Sequence, residues 1–254
     1  MTGRRGNTLA LLLAATTLTH AGSDDFEEAN RLYETGDYAQ AAGKYRRLIE
    51  SGQVSAALYF NLGNALFQGG DFGRGIWSFR QAQRIAPRDP DIRANLQFAR
   101  KEVAGAFAPE DVGWESVFRQ FSPAEWKWFV AGAAAILFGL LAAREYLRRR
   151  AGGLIWPIRV FAILTVASAV FSWVGHLAWT ATEEAVVVRE KLDARFGPLE
   201  DSKTAFTLKD GEEVVISGAK GEWRQIVNTS GQSGWVTIGG VQPINQRLAS
   251  VPGP

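Results

Sequence analysis

The chain has 254 residues, of which 46% are hydrophobic and 21% charged, with a formal net charge of +2. That length holds one or two domains, and so small a net charge leaves no electrostatic footprint for nucleic acid as a partner. With no cysteine among the 254 residues, a disulfide framework, a thiolate metal site and a cysteine nucleophile are all excluded.

The chain opens with "MTGRR", an apolar core from Leu9 to Leu18, and then "THAGS". Positive charge, apolar core and small residues in that order predict a secretory signal over residues 1–21, cut after Ala21. The same order also suits an uncleaved signal anchor. Residues 22–104 carry an internal period. "YETGDYAQAA" is echoed by "FQGGDFGRGI", so that Gly36 and Gly70, Asp37 and Asp71, Tyr38 and Phe72, and Tyr45 and Phe79 are each 34 positions apart. A period of that size marks one folding unit used more than once. Helical spacing of alanine, leucine and aromatic residues on both sides of each Gly-Asp-aromatic triplet predicts a helix, a tight turn and a second helix. Gly36 and Gly70 let the backbone leave the first helix, and Asp37 and Asp71 cap the second.

These residues resemble the tetratricopeptide repeat. The second copy, "ALYFNLGNALFQGGDFGRGIWSFRQAQRIAPRD", carries Leu62, Gly63, Gly70, Phe79, Ala82 and Pro87 at motif positions, with Gly75 where alanine is usual. In the first copy Ala29 replaces the inter-helix glycine and Leu48 a usual alanine. "DPDIRANLQFARKEV" reads as a closing helix, giving two repeats plus that helix. The resemblance implies a groove lined by the first helix of each repeat, here Phe26, Asn30, Tyr33, Phe60, Asn61, Asn64 and Phe67, and a peptide as its ligand. Asn30 and Asn61 match the version of the repeat that clamps a peptide's terminal carboxylate. Its basic residues are replaced by Phe26, Asp91 and Asn95, which points to an apolar or internal segment instead.

Residues 105–125 form a linker in which "WESVFRQF" suits either an interfacial or an ordinary packed helix, and Ser122-Pro123 reads as an N-cap with a first-turn proline. Two apolar runs follow, Trp126 to Ala143 and Val160 to Thr180, each near the ~20 residues that cross a bilayer. They predict membrane helices over 126–147 and 160–180, joined by a loop at 148–159. Arg144, Arg148, Arg149, Arg150 and Arg159 cluster around that loop, so it belongs in the cytoplasm, with both soluble parts outside. Small residues at fourfold spacing, Ala131, Ala135, Gly139 and Ala143, and the stripe Ser168, Ser172, His176 and Thr180 suggest a hairpin with Ala135 near His176 and Gly139 near Ser172.

From 184 to 244 the texture changes to short β-rich runs, "AVVV", "TAFTL", "EEVVISG", "EWRQIV" and "SGWVTI", separated by turn residues. Five or six strands in that span predict a small all-β barrel. Its order of Val187, Gly197-Pro198, Phe206, Leu208, Gly211, Trp223 and Gly234-Trp235-Val236 resembles the bacterial Src-homology-3-like domain. Trp223 and Trp235 are its candidate ligand surface, although either also suits a core position. Residues 245–254 read as a disordered tail.

The fold class expected is thus a multi-part membrane protein: all-α repeats, a two-helix transmembrane hairpin and a small all-β barrel. That order of parts resembles the BatE-type proteins of the aerotolerance (Bat) operons. The resemblance implies von Willebrand A-type Bat proteins and MoxR-type ATPases as associates, and a role in stress or oxygen tolerance. Binding of the terminal barrel to peptidoglycan is the alternative reading. With the signal removed, His176 is the one histidine left, and it lies in an apolar run, so a Ser-His-Asp site lacks its base. No phosphate loop of the G-x-x-x-x-G-K-[ST] type is present. The expectation is a non-enzyme with no catalytic residue, cofactor or metal, whose partners are proteins and the lipid bilayer.

Overall fold

The computed structural model describes residues 24–104, 114–146, 154–180 and 183–245. The expected signal and nearly all of the expected tail lie outside the described residues, as do 105–113 and 147–153 of the linker and the loop. Five helices come first: α1 (24–34), α2 (Tyr38–Glu50), α3 (Ala56–Gln68), α4 (Phe72–Ile85) and α5 (Pro90–Ala104). The two Gly-Asp turns behave as their chemistry requires. Gly36 and Gly70 sit at φ of 83° and 86°, the left-handed region where a Cβ is strained. Asp37 and Asp71 then accept the backbone N–H groups of Gln40 and Arg74 at 3.3 and 3.2 Å, capping α2 and α4. The aromatic residue after each aspartate folds back on the preceding helix, Tyr38 on Tyr33 and Phe72 on Phe67, with ring centroids 5.4 and 5.0 Å apart.

Glycine also sets the distance between α3 and α4. A Cβ at Gly63 would lie 2.7 Å from the ring of Phe79, and one at Gly75 would lie 3.2 Å from the backbone nitrogen of Phe67. Gly75 therefore offsets its low helix propensity by letting the helices close up. Around this contact Tyr45, Leu62, Ile76, Trp77, Phe79 and Leu96 form the helical core.

The short α6 (Trp114–Arg119) leads into α7 (Pro123–Tyr146), which starts three residues before the expected span. Its start is a capping box: Ser122 N–H donates to Glu125 Oε2 at 2.8 Å, and Glu125 N–H to Ser122 Oγ at 3.2 Å. α8 (Ile155–Thr180) begins five residues earlier than the expected 160, so Arg159 is helical and not in a loop. Both helices are long and apolar enough to cross a membrane, with mean hydropathies of 1.7 and 1.8.

The hairpin does not pack through the expected stripe. Ala135, Gly139 and His176 are exposed, and a Cβ at Gly139 would meet nothing within 4 Å. The half-buried residues of α7 include Trp126, Val130, Ala133, Leu137 and Leu140, with Ala134 and Ala143 beside them; those of α8 include Ile158, Phe161, Thr165, Ser168 and Ser172, with Val160, Ala162, Ala167 and Val174 beside them and Gly175 buried. In each helix the first-named row alternates steps of three and four residues, the spacing that keeps two supercoiling helices in register. Fourfold spacing instead drifts around a helix of 3.6 residues per turn, which is why Ala143, Ser168 and Ser172 of the expected stripes are covered while Ala131, Ala135, Gly139 and His176 are exposed. Gly175 lies close against Trp126, where a Cβ would come 2.8 Å from the indole nitrogen. Nor do the hydroxyls bridge the helices, since Thr165, Ser168 and Thr180 donate to Phe161, Thr165 and His176 carbonyls of their own helix.

Seven strands close the chain: β1 (Glu183–Val187), β2 (Lys191–Arg195), β3 (Thr204–Lys209), β4 (Glu213–Lys220), β5 (Trp223–Asn228), β6 (Ser233–Thr237) and β7 (Val241–Pro243). They form one antiparallel sheet in the order β3-β2-β6-β5-β4-β1-β7. Two of them were not among the expected runs. In β2, "KLDAR", only Leu192 and Ala194 turn inward, and β7 is three residues long.

The sheet is docked on α4. Val186 packs into the helical core while Ala185 and Val187 pack into the sheet core, so the second half of β1 is buried on both faces, which is why Ala185 to Val187 read as an apolar run after the two glutamates. Trp77 Nε1 donates to the Pro243 carbonyl at 3.0 Å, and Gln81 Nε2 and Arg84 donate to that of Ile244 at 2.6 and 2.7 Å. Asp210, in the β3–β4 turn, accepts the Gly73 N–H at 3.0 Å and so adds a second cap to α4. Burial holds its carboxyl above the usual range. A Cβ at Gly73 would collide with the Val187 carbonyl and with Asp210.

An ion network closes this junction. Arg80 pairs with Glu184 and with Glu213 at 3.3 Å; Arg100 forks onto Glu213 at 2.5 and 2.9 Å; Arg119 of α6 reaches Glu184 at 3.2 Å. Burial alone would raise the Glu213 pKa, but the guanidinium groups of Arg80 and Arg100 outweigh it and hold the carboxyl below its usual range. Arg88 pairs with Glu125 and lies 5.0 Å over the Phe121 ring, tying the start of α7 to the helical domain. Helices, sheet and the adjoining ends of the hairpin therefore meet at one junction.

Candidate functional site

α1, α3 and α5 are successive neighbours. Asn61 of α3 donates to Asn30 of α1 at 3.3 Å, and the rings of Phe67 of α3 and Phe98 of α5 are 6.0 Å apart. Between α1 and α3 lies a cleft of about 140 Å³ lined by Asn30, Tyr33, Glu34, Tyr45, Asn61 and Asn64. Its polar groups form a connected set. Asn30 Oδ1 accepts the Tyr45 hydroxyl at 2.6 Å and the Asn61 amide at 3.3 Å. Tyr45 is only 1% exposed. Burial, then the neighbouring Tyr33 and the charge of Glu34, push its phenol up to about 12, so it stays a neutral hydrogen-bond donor.

Of the seven residues expected in the groove, Asn30, Tyr33, Asn61 and Asn64 line this cleft. The three phenylalanines do other work. Phe26 packs edge-on to Tyr45 with centroids 6.0 Å apart, Phe60 lies 5.9 Å from Phe79, and Phe67 sits between Phe72 and Phe98. All three are partly buried against the helical core. Tyr45 and Glu34 were missed. Tyr45 lies on the second helix of its pair, and Glu34 precedes the turn. The signal for Tyr45 was the period itself, since it shares its position with the core residue Phe79.

In the sheet, Trp223 pairs with Thr237 and Gln225 with Trp235, so both tryptophans lie on one face, diagonal to each other across β5 and β6. Ile226 and Val236 occupy the opposite, buried face, and both tryptophans are half-buried. Neither belongs to the sheet core. His176 is exposed on α8, away from the seam. Among the described residues, no group of three or more His, Asp or Glu side chains is arranged to hold a metal ion.

Residues 26–90 match the family model of the tetratricopeptide repeat. That span contains the whole cleft and both Gly-Asp turns. No curated protein matches the chain. Tetratricopeptide repeats point to a role in protein–protein interaction, with protein partners, and the two apolar helices suggest association with a membrane.

Proposed function

We propose that the chain is a membrane-anchored scaffold that holds a protein partner in the repeat cleft, outside the cytoplasmic membrane. The observation that carries this reading is the convergence of Asn30, Asn61 and Asn64 with Tyr33 and Tyr45 on one cleft between consecutive repeats. Amide side chains both donate and accept, so they can satisfy the main chain of an extended segment. No lysine or arginine lines the cleft, which argues against a terminal carboxylate as the bound group. The arginine-rich stretch at 144–159 supports a hairpin that turns in the cytoplasm, placing repeats and sheet on the other side. A signal over residues 1–21 agrees with that placement. Resemblance to BatE-type proteins supports von Willebrand A-type Bat proteins as partners, within an envelope complex linked to stress or oxygen tolerance. The scaffold has no catalytic role of its own.

A second reading rests on Trp223 and Trp235, half-buried on a single face of the sheet. In a Src-homology-3-like barrel such a face suits peptidoglycan. Two binding experiments separate the readings. Replacing Asn64 by Ala in the full chain is expected to cut co-purification of a Bat partner severalfold and leave sedimentation with purified wall unchanged. Loss of wall binding on replacing Trp223 and Trp235, with partner capture intact, favours the second.

A further inference from the structure

We infer that the cleft between α1 and α3 receives the cationic end of a lysine or arginine side chain from the bound segment. This inference rests on the reading of the cleft as a peptide site. Size is the first argument. About 140 Å³, against about 30 Å³ for each liquid water, admits a handful of non-hydrogen atoms. One side-chain end fits that volume, beside the main chain that the amides can hold.

Chemistry is the second argument. Asn61 gives one of its two amide hydrogens to Asn30 Oδ1, which leaves its carbonyl oxygen and a second hydrogen to offer. Asn64 adds another carbonyl oxygen and Glu34 a carboxylate. Glu34 is the one formally charged residue of the lining, and an ammonium or guanidinium group, with three or five donors and no acceptor, complements it and the amide oxygens. Tyr33 and Tyr45 are the aromatic residues of the lining. An anionic guest would meet Glu34 with no counter-charge in the lining. A purely apolar guest would strip water from the amides and the carboxylate without replacing their hydrogen bonds. Glu34 takes part in none of the ion pairs among the described residues, whereas the nearby Lys44 is engaged with Glu28 and Asp25. The carboxylate is thus left to a guest.

The full chain in detergent, labelled with 3-fluorotyrosine, tests this by ¹⁹F resonance. Four blocked peptides, acetyl-GSAAXAASG-amide with X as Lys, Arg, norleucine or Glu, are titrated in turn. The Lys and Arg peptides are expected to shift the Tyr33 and Tyr45 signals, with affinities about tenfold or more above the norleucine peptide. Glu34→Gln is expected to remove that preference, and because Glu34 is exposed the fold survives the change. Equal binding of the norleucine or Glu peptide at these tyrosines would overturn the cation site while leaving a peptide groove. Absence of any shift with the Lys and Arg peptides would also overturn it. The groove reading itself is decided separately, by crosslinking from Asn64 to a partner.

Discussion

At the scale of single residues, Gly73 and Glu213 decide whether the sheet stays on the helices. Gly73 has no room for a Cβ against the Val187 carbonyl, and backbone atoms cannot swing aside as a flexible side chain does. Gly73→Ala is therefore expected to cost about 1–3 kcal/mol, the range for overpacking. Thermal unfolding followed by tryptophan fluorescence checks this. An unchanged midpoint would show that the junction is loose. Glu213 makes the junction sensitive to acid. Its folded pKa lies below the ordinary 4.5, so the stabilisation is fully present above that pH and is lost as pH falls through the folded value. Unfolding midpoints of the native chain should drop steeply below about pH 4.5, where the carboxylate begins to lose its charge. Glu213→Gln should flatten that part of the profile. At neutral pH it should lower stability by about 3 kcal/mol, because Arg80 and Arg100 keep their charge and lose their shared partner.

Asn64 and Phe67 differ in what their replacement reports. Asn64 lines the cleft, and Asn64→Ala removes a surface amide at little cost to folding. Phe67 bridges Phe72 and Phe98 and abuts Gly75. Phe67→Ala should cost up to about 3 kcal/mol, so any loss of partner binding there would mix function with stability. Circular dichroism melts of the two variants should separate them clearly.

At the scale of elements, the hairpin seam gives a sharp contrast. With Trp126 facing Gly175 in an antiparallel pair, Ala133 comes opposite Ser168 at the same rise per residue. Cysteines at Ala133 and Ser168 should crosslink readily in membranes, and a pair at Ala135 and His176 should not. Gly175→Leu should disrupt the hairpin and Gly139→Leu should be tolerated, since the second points into open space. The opposite pattern would restore the fourfold stripe as the interface.

What was legible in the sequence follows from how local each cause is. The Gly-Asp turns and the Ser122 cap depend on residues within a turn of one another, and the repeat period on recurring residue types alone, so they were readable. The hairpin seam was not, because small residues at fourfold spacing and a covered row at three-and-four spacing overlap for only a turn or two. Strand β2 escaped notice because just Leu192 and Ala194 are turned inward, in a segment otherwise charged. The docking of sheet on helix was hidden for a different reason. Trp77, Gln81 and Arg84 meet residues about 160 positions away, and nothing local distinguishes them from an ordinary helix face. In the cleft, the asparagines were found from their place on the first helices. Tyr45 was hidden because its hydroxyl reaches across from the second.

At the scale of the whole molecule, the junction links three parts through two carboxylates. Glu184 takes Arg80 of α4 and Arg119 of α6, and Glu213 takes Arg80 and Arg100. Arg88 and Glu125 fasten the start of α7. Such a body would carry the cleft at a set height above the bilayer, as a scaffold requires. The proposed topology is checked by reporter fusions at Gly152 and Ser250, which should report opposite compartments. Matching compartments would mean that the two helices do not both cross.

The claim on which the rest depends is that the repeat cleft is where the partner binds. A photo-crosslinking amino acid placed at Asn64 in the full chain, in native membranes, tests it most directly against the same group at Trp223. A discrete protein adduct is expected from Asn64, lost when Asn61 is changed to Ala, and none from Trp223. Adducts from Trp223 alone, with the cleft position silent, would contradict it.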